Sequence, residues 1–78
     1  MYVYIIRSVK HPLQTYVGST QNLKKRLIEH NSGKSPHTSK YKPWYFENAV
    51  WFKDEAKAFQ FERYLKGHSG LAFRAKHF

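Results

Sequence analysis

Apolar and polar positions along the chain fall into five blocks. Tyr2 to Ser8 (YVYIIRS) is β-branched and aromatic, which predicts a strand. His11-Pro12 is a turn signal, because proline fixes φ and disfavours helix just before it. Thr15 to Ser19 (TYVGS) predicts a second strand, antiparallel to the first by proximity. Thr20 is placed to cap a helix from Gln21 to about Ser32, with Leu23, Leu27 and Ile28 as its apolar side and Gly33 at the C′ position. Ser32 to Pro43 (SGKSPHTSKYKP) is a basic loop rich in helix breakers. Trp44 to Phe52 (WYFENAVWF) predicts a third strand. Apolar residues fall on both of its alternating faces, so it is expected to be buried on both sides. Asp54 caps a second helix, Glu55 to Lys66, stopped by Gly67, and Leu71 to Lys76 is expected to form a last short helix. The order is β-β-α-β-α with a short tail. Helices covering the apolar faces of a three-stranded antiparallel sheet make a small layered α/β domain, and residues 1–78 are expected to form that one domain.

Composition sharpens this picture. With no cysteine, neither a disulfide framework nor a Cys-type zinc site supports the fold, so the 18% aromatic residues must carry the core. No apolar run approaches the ~20 residues of a membrane span. Met1 leads directly into strand-like residues rather than a basic segment followed by an apolar one, and a cytoplasmic location is expected. Fourteen Lys and Arg against five Asp and Glu give a formal charge of +9. So strong a positive field on so small a surface favours nucleic acid over an anionic membrane, which would call for a longer amphipathic basic helix. Lysine as a simple solubilising group is the bland alternative.

Several residues can carry chemistry. Ala58, Phe61 and Leu65 form an apolar stripe on the second helix, and Glu62 falls beside it with Phe59 on the other side. A carboxylate among apolar groups is costly unless it is paired or binds a metal. Arg26 and His30 form an i, i+4 pair beside Leu23 and Leu27. Arginine can clamp a phosphate and histidine can move a proton near neutral pH. Lys24 and Lys25 stand alongside, so from spacing alone a plain solvated basic face is the favoured account of the pair. Tyr4 and Tyr16 lie in the first two strands, where core or sheet-surface tyrosines are the usual reading. Gly18 interrupts a strand, as a close backbone approach or a bulge would require. His11, His37, His68 and His77 show no pairing that suggests a structural metal site.

The order of these blocks is more telling than any one of them. Tyr2-Val3-Tyr4, then Tyr16-Val17-Gly18, then Arg26 and His30 in a helix, then Glu62 in a later helix, resembles the GIY-YIG nuclease superfamily. The stretches from Tyr16 to Gly33, Lys42-Pro43-Trp44 and Glu62 to Lys66 resemble its small stand-alone members most closely. The resemblance implies a metal-dependent endonuclease acting on nucleic acid, DNA rather than RNA, with one Mg²⁺ or Mn²⁺ ion. It implies Tyr4 and Tyr16 as the tyrosines of the two name-giving elements, Arg26 as the phosphate clamp, Glu62 as the metal ligand and His30 as an alternative base or proton relay. Tyr16 would act as general base or orient the water, although a free tyrosine titrates near ~10. Lys24, Lys25, Lys34, Lys40 and Lys42 are the candidate backbone contacts. Ser19 stands where repair-type members carry a lysine. A non-catalytic DNA- or RNA-binding module on the same fold remains the alternative, and so does a small RNA-associated protein using aromatics and lysine.

Overall fold

The computed structural model describes residues 1–67; the expected helix from Leu71 to Lys76, and His68 and His77, lie outside the described residues. Strand β1 (Tyr2–Ser8) is followed by β2 (Thr15–Thr20), helix α1 (Leu23–Asn31), a single 3-10 turn (Ser39–Tyr41), β3 (Trp44–Trp51) and helix α2 (Glu55–Lys66). The sheet is antiparallel with order β2-β1-β3. The expected α/β architecture and β-β-α-β-α order are therefore present.

β1 takes the central position because its Val3-Tyr4-Ile5-Ile6 run can be buried on both faces. Val3 and Ile5 point to one side, where Val17, Ala58 and Leu65 close a core beneath α2. Tyr4 and Ile6 point to the other, where Trp44, Leu23 and Leu27 close a second core beneath α1. Each helix thus seals one face of the sheet.

β3, expected to be buried on both sides, is instead an edge strand. Tyr45 and Trp51 remain largely exposed, and only Trp44 is fully buried. Aromatic residues tolerate this half-wet position because their rings are apolar while the Tyr hydroxyl and Trp N–H can meet water. An irregularity in the β1–β3 register sits between Ile5 and Ile6, opposite the stretch that includes Glu47, whose carboxylate receives two hydrogen bonds from Arg7.

Helix α1 starts two residues later than expected. Asn22, not Thr20, is its N-cap and accepts from the Lys25 amide at 3.0 Å, while the Thr20 hydroxyl accepts from the Asn22 amide. Asn is as good a cap as Thr, so local geometry decides between them. Ile28, assigned to the apolar side, points outward and is 59% exposed. The buried α1 residue is His30. Gly33 does occupy the left-handed conformation, with φ +82°. In α2 the cap Asp54 and the boundaries match the sequence pattern.

Candidate active site

The site grows from the α1-covered face of β1 and β2. Tyr4 on β1 lies directly across from Gly18 on β2, and its phenol ring extends over that glycine. A Cβ at position 18 would stand 2.5 Å from the Tyr4 oxygen and 3.1 Å from the Tyr16 ring. Glycine is therefore required here to let two tyrosines share one patch of sheet, which is the close approach that a glycine within a strand signals.

The Tyr4 hydroxyl, fully buried, is the hub of a polar chain. Arg26 Nε donates to it at 3.2 Å, and it donates in turn to His30 Nε2 at 2.8 Å. His30 Nδ1 then donates to the Thr38 hydroxyl at 2.8 Å, which donates to the Ser35 carbonyl. The direction follows from the Thr38 hydroxyl, whose single proton goes to the Ser35 carbonyl, so that it accepts from His30 Nδ1–H and leaves Nε2 of the neutral ring to accept from Tyr4. The loop carrying Thr38 is held by Trp44, whose indole N–H donates to the Thr38 carbonyl and whose backbone pairs with the Asn31 side chain.

Protonation states agree with this chain. Burial lowers the His30 imidazole to about 4, with the Arg26 charge pushing the same way. Burial also raises the Tyr4 hydroxyl, against the opposing pull of Arg26. Burial disfavours the Arg26 charge, but its bonds to Tyr4 and Glu29 outweigh this and hold the guanidinium above its ordinary value. At neutral pH the centre is a neutral histidine, a neutral tyrosine and a charged arginine. His30 thus differs from expectation in having no place on a solvated face: it is fully buried and its imidazole is held neutral.

Tyr16 contrasts with Tyr4. It is half-buried, packs edge-on to the His30 ring at 5.2 Å, and its hydroxyl has no protein partner among the described residues. Arg26 is similarly part-committed: Nη1 bonds Glu29 at 3.2 Å, whereas Nη2 has no partner among the described residues and the side chain is 31% exposed. Both groups present hydrogen-bonding capacity outward from a fixed base.

Glu62 approaches from α2. Its charge adds a minor upward push on Tyr4, and its link to the centre runs through the Lys66 side chain. It pairs with Lys66 at 2.9 Å rather than with Arg26. The Lys66 ammonium also lies over the Tyr16 ring, 5.7 Å from its centroid. Among the described residues no three His, Cys, Asp or Glu side chains gather into a metal cage. What is present is one part-buried carboxylate already holding a cation, the ammonium. That donor set suits a hard ion that keeps most of its waters, as Mg²⁺ does, and is wrong for zinc.

The structure therefore brings together Tyr4, Tyr16, Arg26, His30 and Glu62. The lysines divide: Lys24, Lys25 and Lys34 line a concavity of about 290 Å³ on the outer side of α1 with Asn22, Ile28 and Glu29, whereas Lys40 and Lys42 are exposed further along the loop. The sequence reading missed Thr38, Glu29 and Lys66. Thr38 sits in an irregular loop, where spacing gives no clue to a partner. Lys66, four residues after Glu62, and Glu29, three after Arg26, stand at spacings that do signal pairing on a helix.

Comparison with known proteins agrees with this geometry. A family model described as the GIY-YIG catalytic domain matches residues 1–75. Structure-specific endonuclease subunit SLX1 of Debaryomyces hansenii is 38% identical over 71 residues, covering 82% of this chain and 20% of the relative. Its namesake from Malassezia globosa is 34% identical over 79 residues, covering 95% of this chain and 18% of the relative. That of Candida dubliniensis is 38% identical over 71 residues, covering 82% and 25% respectively. The chain thus spans a quarter or less of the length of these curated relatives. No solved structure gives a significant match.

Proposed function

This chain belongs to the GIY-YIG catalytic-domain family, and from that premise we propose that it is a divalent-metal-dependent endonuclease that hydrolyses phosphodiester bonds in structured DNA. The observation that carries the reading is the convergence of Arg26, Tyr4, His30, Tyr16 and Glu62, from four separate elements, on one centre. A polar chain with a fixed direction, ending in an arginine with spare donors, is an arrangement that a packed core does not need.

Each side chain has a distinct task. Arg26 binds a non-bridging phosphate oxygen through its outward amino groups and offsets charge that builds up in the transition state. Tyr16 orients the attacking water through its hydroxyl, which has no partner among the described residues. Tyr4 and His30 are positioning residues: buried and neutral, they fix the arginine from behind, and Thr38 fixes the histidine. Glu62 would hold one Mg²⁺ or Mn²⁺ ion together with waters. When bound, such an ion supplies Lewis acidity at the phosphate and a more acidic water. The positive surface supplies sequence-independent affinity for the DNA backbone, and a nucleic-acid substrate goes with an intracellular location. The relatives are named as subunits, and we extend that to this chain: a second polypeptide narrows the choice of substrate.

Labelled single-stranded, duplex and branched DNA and RNA, each incubated with Mg²⁺, Mn²⁺ or EDTA, test the proposal. Cleavage of DNA is expected with either metal and not with EDTA. Glu62→Gln and Tyr16→Phe should both bind DNA and stay folded while cutting at least ~100-fold more slowly. Losing the half-exposed Glu62–Lys66 pair should cost at most ~1 kcal/mol of stability. Binding without cleavage in every metal would leave a non-catalytic module, and full activity of Glu62→Gln would end its assignment as metal ligand.

A further inference from the structure

Lys66 stands at the last turn of α2, half-exposed, with its ammonium 2.9 Å from the Glu62 carboxylate and 5.7 Å from the centre of the Tyr16 ring. It therefore meets both the group assigned to the metal and the group assigned to the water. An ammonium on a carboxylate oxygen competes with a divalent ion for that oxygen, because the two cations repel each other even where solvent screens a half-exposed pair. The charge demand of the reaction also leaves room for a second cation. Arg26 is already shared between Tyr4 and Glu29, and a phosphodiester under attack gains a full negative charge. A four-carbon stem on a half-exposed helix end gives the ammonium freedom to move by several ångströms.

We propose that Lys66 is an exchangeable cation of this site: its ammonium occupies Glu62 while the metal is absent and transfers to a substrate phosphate oxygen beside Tyr16 once the metal takes the carboxylate. The inference rests on the assignment of Glu62 as the metal ligand. It gives the ion pair a purpose beyond the ordinary i, i+4 support of a helix end. Lys66 keeps the carboxylate aimed in the apo protein, and then supplies the cation that faces the scissile phosphate across the Tyr16 ring.

The two roles differ in what removing the lysine does to metal affinity. Mn²⁺ binding to the whole chain, without nucleic acid, is read from the loss of the free-ion electron paramagnetic resonance signal. Cleavage of a labelled branched DNA is then measured at saturating Mn²⁺. Lys66→Met should bind Mn²⁺ at least ~5-fold more tightly, because a competitor for Glu62 is gone, and should cut roughly 100-fold more slowly. Lys66→Arg, which keeps the charge, should hold Mn²⁺ affinity near wild type and recover part of the rate. Arg63→Met, nearby on the same helix and exposed, loses the same charge and should leave Mn²⁺ affinity unchanged, which separates the contact from the overall field. Unchanged or weaker Mn²⁺ binding by Lys66→Met, or an undiminished rate at saturating metal, overturns the proposal while leaving a wild-type nuclease intact. A wild-type chain that binds no Mn²⁺ overturns both the proposal and the Glu62 assignment beneath it.

Discussion

At the scale of single residues, the centre works by keeping groups neutral. His30 is fully buried between two hydroxyls, and its pKa lies at about 4 against ~6.5 for a free imidazole. The folded protein therefore binds fewer protons here than the unfolded chain between those values, so stability rises with pH across that window. The contribution is complete above pH ~6.5, declines as pH falls towards 4 and reaches a maximum loss of roughly 3 kcal/mol. Nuclear magnetic resonance of the His30 ring should show a single deprotonation midpoint near 4, and denaturant melts of His30→Gln should lack the corresponding slope. A midpoint near ~6.5 would mean that the ring is solvated and that Tyr4 is not held as described. This neutrality is what the sequence concealed. The pairing of Arg26 and His30 on one helix face was legible from their spacing, yet whether that face met water or a second polar layer depended on Tyr4 and Thr38, which lie 26 and 8 residues from His30.

At the scale of secondary-structure elements, what was legible followed from local signals. The bounds of α2 were readable because Asp54 and Gly67 mark its two ends, and β1 because its β-branched run is unbroken. The placement of β3 was not, because an apolar alternation shows which residues dislike water without showing which strand has two neighbours. Only pairing with both β2 and β3 assigns the centre to β1. The α1 start was misplaced for a related reason: Thr20 and Asn22 are both competent caps, and the β2 pairing extends through Thr20, removing it from the helix. Gly18 joins β2 to the site most directly. An added methyl would collide with the Tyr4 oxygen and Cζ, at 2.5 and 2.7 Å, and the ring is wedged by Phe46 and His30 and cannot swing aside freely. Gly18→Ala should therefore lower stability by about 1–3 kcal/mol and cleavage by a larger factor than stability explains, since displacing Tyr4 releases Arg26. Thermal melts run beside cleavage assays at a temperature where the variant is folded check this. Wild-type melting and activity in the variant would show that the sheet separates easily at that point.

At the scale of the whole molecule, a charge of +9 on 78 residues makes association with a polyanion mainly a counterion-release process. Lys24, Lys25 and Lys34 line the concavity on the outer side of α1, and the exposed Lys40 and Lys42 follow on the loop, with the Lys42 ammonium reaching back beside Gly33. None of these five lysines belongs to the polar chain around Tyr4, so affinity and chemistry should be separable by mutating them. Glu62→Gln, expected to bind DNA without cutting it, allows binding to be measured without turnover. The logarithm of its affinity for duplex DNA should fall linearly with the logarithm of salt concentration. Adding Lys40→Ala and Lys42→Ala together should weaken binding by a similar factor for unrelated sequences and flatten that slope by about two units, close to ~0.9 for each phosphate no longer neutralised. The factor should be similar because side chains that touch only phosphate position a duplex without reading it. A loss confined to one sequence would instead make these lysines base readers. A slope unchanged by the double substitution would mean that the DNA follows the α1 concavity alone.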